Sequence, residues 1–164
     1  MVRIYSDLLT EDELSFVQRE ISGNHWGYGY ISTDASKPIW NFDKQRGKPV
    51  AELIASKLDY RLTDWHINGQ TMGQSGSPHK DEYDQCDTAF VFFFQDWNYE
   101  WGGRLHIFDT NTTIITPQKN TGVLFDASLF HYAEAPVINT LRMSIGLKLQ
   151  STLSPTGVKN EQSH

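Results

Sequence analysis

The chain has 164 residues with 38% hydrophobic and 13% aromatic content, enough for one well-buried core, and no apolar run near the roughly 18 residues that a membrane span requires. Its formal net charge of −6 opposes binding to phosphate backbones, which takes clustered Lys and Arg, so nucleic acid is not an expected partner. The single Cys86 cannot form an internal disulfide and MVRIYSDLLTEDEL has no secretory-signal pattern, so the expected setting is the reducing cytoplasm.

Thr10 followed by Glu13 has the form of a capping box, with Leu9 and Leu14 placed as a hydrophobic staple, and predicts a helix from Glu11 to Ile21. A second helix is expected to start with Pro49 in its first turn and to carry Val50, Leu53, Ile54 and Leu58 along one face. Between them, GNHWGYGYISTDASKPIWNFDKQRG shows no clean period and reads as a long loop with one strand at most. Its aromatics, Trp26, Tyr28, Tyr30, Trp40 and Phe42, suit either packing or a lid over a site. From Arg61 onward RLTDWHIN, TAFVFFF, GRLHIFD, TTIIT, GVLFD and LRMSIGLKL are short apolar or alternating runs bounded by turn residues. The fold class expected is mostly β with N-terminal helices, an antiparallel sandwich or barrel with the helices stacked on one side. One domain spans residues 1–150, and the polar stretch at 151–164 reads as a flexible tail.

The chemistry is concentrated in the second half. In extended backbone residues i and i+2 share a face, so His79 and Asp81 in SPHKDEYD can grip one ion between an imidazole nitrogen and a carboxylate oxygen. That pair alone is a weak signal. His131, far downstream beyond a predicted strand, supplies a third donor if a barrel returns it to the same mouth. Two His and one carboxylate on one side of a metal leave the opposite positions open, which suits non-haem Fe(II); the same set would also hold zinc. In Arg142-Met143-Ser144-Ile145-Gly146-Leu147 the Arg and Ser share one face of a strand. A buried cation and hydroxyl call for an anion, such as the distal carboxylate of 2-oxoglutarate, and a zinc site would leave both residues without a purpose.

The His-x-Asp pair, the distant His and the Arg-x-Ser together resemble the 2-oxoglutarate and Fe(II)-dependent oxygenases, and the segment FVFFFQDWNYEWGGRLHIFD is similar to the strand, turn and Gly-Gly element of prolyl hydroxylases. The resemblance runs from about Val2 to Leu149. It implies a double-stranded β-helix, or jelly roll. It also implies Fe(II) on His79, Asp81 and His131, 2-oxoglutarate anchored by Arg142 and Ser144, and O2 as the oxidant. Oxidative decarboxylation of 2-oxoglutarate to succinate and CO2 would then be coupled to hydroxylation of a C–H bond. Asn68 matches a family position that lies against the cosubstrate; Gln70 stands where relatives often have Tyr, and an amide can also donate to a carboxylate.

Gln74 and Ser77, just ahead of the His-x-Asp, are expected to line the mouth. His106 reads as structural, His66 as facing away from the core made by Trp65 and Ile67, and Phe92, Phe93 and Phe94 as core with one face available as a cosubstrate wall. The expected substrate is a peptide or protein, with proline the first residue to test; a free amino acid or other small metabolite is the alternative, and a non-oxidative zinc protein the reading from another class. The loops at Asn24–Gly47 and Asp84–Asp87 are where specificity would reside.

Overall fold

The computed structural model describes residues 1–152; most of the stretch read as a tail lies outside the described residues. Ten strands and two helices follow one another as β1 (Val2–Ser6), α1 (Glu11–Ile21), β2 (Trp26–Tyr30), β3 (Ile39–Phe42), α2 (Lys44–Ala55), β4 (Tyr60–Gln70), β5 (Thr88–Phe93), β6 (Leu105–Phe108), β7 (Thr112–Ile115), β8 (Thr121–Asp126), β9 (Phe130–Ala133) and β10 (Arg142–Ser151), with one 3-10 turn at Tyr99–Trp101. Ser151, assigned to the tail from its composition, is the last residue of β10 and donates its N–H to Asp87 Oδ1 at 2.9 Å.

The helices form as their termini dictate, with one difference. Glu13 N–H donates to Thr10 Oγ1 at 3.2 Å and Thr10 N–H to Glu13 Oε1 at 3.0 Å, so the capping box satisfies two donors that the first turn would leave open. The second helix begins at Lys44, not at Pro49. Asp43 caps it by accepting from Arg46 N–H at 3.0 Å, a start that outcompetes the Pro49 signal and leaves the ring inside the helix. The early loop is likewise more ordered than its composition suggests. Trp26 pairs with Phe42 and Tyr28 with Trp40 across a β2–β3 hairpin, and Trp26 stacks edge-on against Phe42 at 5.5 Å, so aromatic packing supplies the order that the period does not show.

Two antiparallel sheets face each other, one ordered β1-β8-β5-β10-β4-β3-β2 and the other β7-β6-β9, which is the jelly-roll arrangement. Both helices pack on the outer face of the large sheet. Val17, Ile21, Val50 and Ile54 meet Ile67, Phe90, Phe92, Ile145, Leu147 and Leu149 there, each such side chain contributing about 1.5–3 kcal/mol on burial. Alternation turns Phe93 and Ala89 of β5 to the inner face, where Val123 and Phe125 of β8 meet Leu105, Ile107 and Ile115 of the small sheet. This packing fills the sandwich on the β8–β5 side. On the β4–β10 side the inner row is polar. The ladder sets Arg142 opposite Gln70, Ser144 opposite Asn68, Gly146 opposite His66 and Lys148 opposite Asp64, and a cavity remains between this row and β9.

Candidate active site

His131 follows the GVLFD strand, β8, as expected, and itself lies within β9; the segment before β5 docks against it. His79 N–H donates to the His131 carbonyl at 3.0 Å and His131 N–H to the His79 carbonyl at 2.9 Å, while Asp81 N–H donates to the Ala127 carbonyl at 3.0 Å. Main-chain bonds thus bring the distant histidine to the His-x-Asp pair. The donor atoms of His79, Asp81 and His131 all fall within 4.8 Å of one another. Each imidazole is oriented by the carbonyl two residues before it: His79 Nδ1 lies 2.8 Å from the Ser77 carbonyl and His131 Nδ1 lies 3.1 Å from the Leu129 carbonyl. Only a protonated Nδ1 can bond a carbonyl, so in each ring Nε2 is the nitrogen that is left to face Asp81.

Burial favours the neutral form of His79 and lowers its pKa. For Asp81 burial works in the opposite sense, but the bond with His131 and the ammonium of Lys148 override it and hold the carboxyl well below the usual carboxylate range. Two imidazoles and one carboxylate are a donor set that suits a divalent cation with an open side, so the residues fit the metal that their pattern implies.

The cavity beside these three residues is lined by His66, Asn68 and Gln70 of β4, Val91 of β5, Ala133 of β9 and Arg142, Ser144 and Gly146 of β10, among others. Arg142 is the most buried polar side chain of this lining, at 1% exposure. The guanidinium donates from Nε to the Gly103 carbonyl at 2.7 Å and from Nη1 to Gln70 Oε1 at 3.1 Å and Ser144 Oγ at 3.3 Å. The Phe93 ring lies 5.4 Å beneath it. Among the described residues Nη2 has no partner although it is buried, and no carboxylate lies within ion-pair distance. Burial pushes the Arg142 pKa down to about 10, so the group stays charged at neutral pH. A buried, charged, half-satisfied guanidinium is a prepared anion site, and a carboxylate is the anion whose two oxygens match its fork.

The Gly-Gly element of the sequence is explained by this arginine. Gly103 has φ +71°, and a Cβ built on it would lie 2.9 Å from the Trp97 ring and 3.0 Å from Arg142 Cδ, so only glycine lets the carbonyl reach the guanidinium. Gln70 is used within the protein, its Nε2 donating to the Gln74 carbonyl at 2.9 Å and to the Ala133 carbonyl at 3.1 Å. Asn68 Oδ1 accepts from Asn41 Nδ2 at 3.1 Å.

Other sequence expectations divide. Ser77 lines the cavity and donates to Asp34 Oδ2 at 3.1 Å. Gln74 does not line it; its Oε1 accepts from Thr71 N–H at 2.7 Å, closing the turn after β4. His106 is buried against Glu134 at 2.7 Å and stacks on Tyr132, clear of the triad. His66 does face away from Trp65 and Ile67, and that direction carries it into the cavity, where burial first and Lys148 second push its pKa down to about 4. Sequence reasoning also passed over Lys148, whose Nζ lies 2.7 Å from Asp81 Oδ1. Its inward direction was readable from alternation with Arg142 and Ser144; its partner was not.

This architecture has counterparts among known proteins. Residues 64–147, just over half of the chain, match the family model described as the 2OG-Fe(II) oxygenase superfamily. Among curated proteins nothing matches the sequence. Solved structures similar in fold include a prolyl hydroxylase from Trichoplax adhaerens in complex with a hypoxia inducible factor oxygen degradation domain peptide fragment, at TM-score 0.68 and 13% identity over 92% of this chain and 83% of that one. A Pseudomonas putida prolyl-4-hydroxylase matches at TM-score 0.65 and 17% identity over 91% and 92%. The non-heme alpha ketoglutarate dependent epimerase SnoN from nogalamycin biosynthesis matches at TM-score 0.66 and 12% identity over 96% and 82%. At such identities the likeness speaks to fold alone.

Proposed function

The chain belongs to the 2OG-Fe(II) oxygenase superfamily, and from that premise we propose that it hydroxylates a C–H bond in a peptide or protein, with proline the first side chain to test. Membership makes it a 2-oxoglutarate-dependent dioxygenase that uses Fe(II), 2-oxoglutarate and O2, and sets aside the non-oxidative zinc reading. When bound, Fe(II) and 2-oxoglutarate supply the oxidising power, 2-oxoglutarate and O2 being consumed as succinate, CO2 and a hydroxylated product form.

The roles of the chain's own groups follow from their surroundings. His79 and His131 would hold Fe(II) through Nε2, because each Nδ1 is committed to a backbone carbonyl, and Asp81 would add one negative charge. Arg142 would bind the C5 carboxylate of 2-oxoglutarate. The observation that carries this reading is the unpartnered Nη2 of an arginine that lines the same cavity as the three ligands. Ser144 stands beside the guanidinium as a second donor, and Asn68, with its oxygen taken by Asn41, is left to donate through its NH2. Gln70 is a positioning residue, its oxygen holding Arg142 and its nitrogen tied to backbone. The Phe93 face keeps water from the guanidinium.

The β2–β3 hairpin supports the choice of a polymeric substrate. Its residues Ser32, Thr33, Asp34 and Lys37 border the cavity, and Tyr28 and Tyr30 beside them are 58% and 39% exposed, an apolar rim that a chain longer than the cavity could lie against. A metabolite substrate is favoured by a different observation, a polar chamber next to the triad lined by Lys44, Asp64, Trp65 and Lys148 among others. A panel of proline-containing peptides and free amino acids, scored for Fe(II)-dependent succinate formation and for gain of one oxygen atom, separates the two. The proposal expects oxidised peptides and protection of residues 26–42 from hydrogen exchange when they bind. Oxidation of a small metabolite with no peptide oxidised would move the assignment to the second reading.

A further inference from the structure

The inward row of β10 holds one residue that neither the triad nor the cosubstrate pocket explains. Arg142 and Ser144 face the anion site, and Gly146 is blank because a Cβ there would fall 2.4 Å from His66 Nε2. Next in the row is Lys148. Its side chain is 16% exposed, its ammonium lies 5.7 Å from the centre of the Tyr83 ring, and its cross-strand neighbour Asp64 is already paired with Lys44. Among the described residues the one carboxylate paired with Lys148 is Asp81, with Nζ 2.7 Å from Oδ1. The other oxygen, Oδ2, lies 3.3 Å from His131 Nε2. His79 Nε2 lies 3.7 Å from Oδ1, so an imidazole stands near each oxygen, but only Oδ1 carries the ammonium.

Building on the functional reading above, we propose that Lys148 is a positioning residue: it holds Asp81 Oδ1 so that the carboxylate offers a divalent cation Oδ2 alone, and the position that a two-oxygen grip would occupy stays free for cosubstrate. A divalent cation on Oδ1 would sit beside an ammonium 2.7 Å from the same oxygen, and like charges at that range repel strongly in a half-buried site. On Oδ2 the cation is set further from the lysine, while the hydrogen bond keeps the carboxylate from rotating.

The sign of the effect distinguishes this from simple charge or simple packing. Lys148→Met keeps the apolar stem over Tyr83 and removes the donor, and Lys148→Arg keeps a cationic donor. Mn(II) affinity of the intact protein is measured first, then 2-oxoglutarate affinity of the Mn(II)-loaded protein, neither of which requires turnover. In Lys148→Met, Mn(II) should bind at least as tightly as in the parent, because a like charge is gone and a second oxygen is available. 2-Oxoglutarate should bind about tenfold more weakly, and Lys148→Arg should restore most of that loss. Unchanged 2-oxoglutarate affinity in Lys148→Met overturns the assignment, as does a joint loss of both affinities, the mark of a merely structural role. A readout on the parent protein covers the case in which the methionine variant does not fold. Isotope-edited infrared difference spectra of Asp81 on Mn(II) binding should show the wide carboxylate splitting of one-oxygen ligation, and a narrow two-oxygen splitting also overturns it. If the parent takes up no Mn(II), the functional reading itself falls; if the parent binds both ligands and Lys148→Met matches it, only the role of Lys148 does.

Discussion

At the scale of the residue, Arg142 carries the most consequence, because it is buried with its Nη2 unpartnered among the described residues and is the group proposed to hold the cosubstrate carboxylate. Lysine in its place would keep the charge but lose the planar fork, its bond to the Gly103 carbonyl and its bond to Gln70. Arg142→Lys should weaken 2-oxoglutarate binding by about tenfold or more, read by calorimetry on the metal-loaded protein, with little change in metal affinity. His66 makes a second prediction, through pH. Its folded-state pKa is depressed to about 4 from an ordinary 6.5, so between those values the unfolded chain binds more protons than the folded one, and stability falls as pH falls through that window. The loss at the lower end amounts to about 3 kcal/mol at most. Denaturant unfolding of the metal-free protein at pH 7 and pH 4.5 should show a smaller drop in His66→Gln than in the parent. An equal drop in both would place the acid sensitivity elsewhere, His79 being the neighbour whose pKa is also lowered. The legibility of such residues differs for a physical reason. His79 with Asp81, and Arg142 with Ser144, stand out by their i, i+2 spacing within one extended segment each, whereas Lys148 and His66 acquire their surroundings only from strands distant in sequence.

Elements show where local signals compete. Thr10 and Glu13 predict the start of α1 correctly because a capping box is a complete hydrogen-bond pattern written in four consecutive residues. Pro49 misleads because it marks only what a helix start tolerates, and the stronger cap at Asp43 sets the start of α2 earlier. Pro49 therefore lacks the N–H that would reach the Gln45 carbonyl, on an exposed face of the helix. Pro49→Ala should raise stability by about 1 kcal/mol in denaturant unfolding, the gain in helix propensity being partly offset by the freer unfolded chain; a loss would show that the ring's packing outweighs the missing bond. The turn before β6 links element to site. Gly103→Ala would strain a left-handed residue and drive a methyl against Arg142, so it should weaken 2-oxoglutarate binding even though it removes no contacting side chain. The β2–β3 hairpin escaped sequence reading for the opposite reason: its glycines break the alternation, and only pairing of Trp26 with Phe42 and Tyr28 with Trp40 makes it a sheet edge.

For the whole molecule, two sheets of one sandwich are packed apolar on the β8–β5 side and left polar on the β4–β10 side, and that asymmetry leaves room for the proposed site. The core was readable in the alternation of β5, β8 and β10, since Phe90, Phe92, Ile145 and Leu147 face the helices and Phe93, Val123 and Phe125 face the small sheet. What alternation cannot supply is register, and register is what sets Gln70 against Arg142 and brings His131 to His79. In the function proposed above, the triad and the buried guanidinium act as one site, with the metal completing the grip on 2-oxoglutarate. Ligand that binds only the folded state stabilises it by about 2.7 kcal/mol at a hundredfold excess over Kd. The claim is therefore tested most directly by anaerobic thermal unfolding of the parent, His131→Ala and Arg142→Lys with Fe(II) alone, 2-oxoglutarate alone and both together. In the parent the two ligands together should stabilise more than the sum of each alone; His131→Ala should lose the metal effect and that synergy, and Arg142→Lys should keep the metal effect and lose most of the response to 2-oxoglutarate. Stabilisation by 2-oxoglutarate that is equal with and without Fe(II), or a full synergistic shift in either variant, would contradict it.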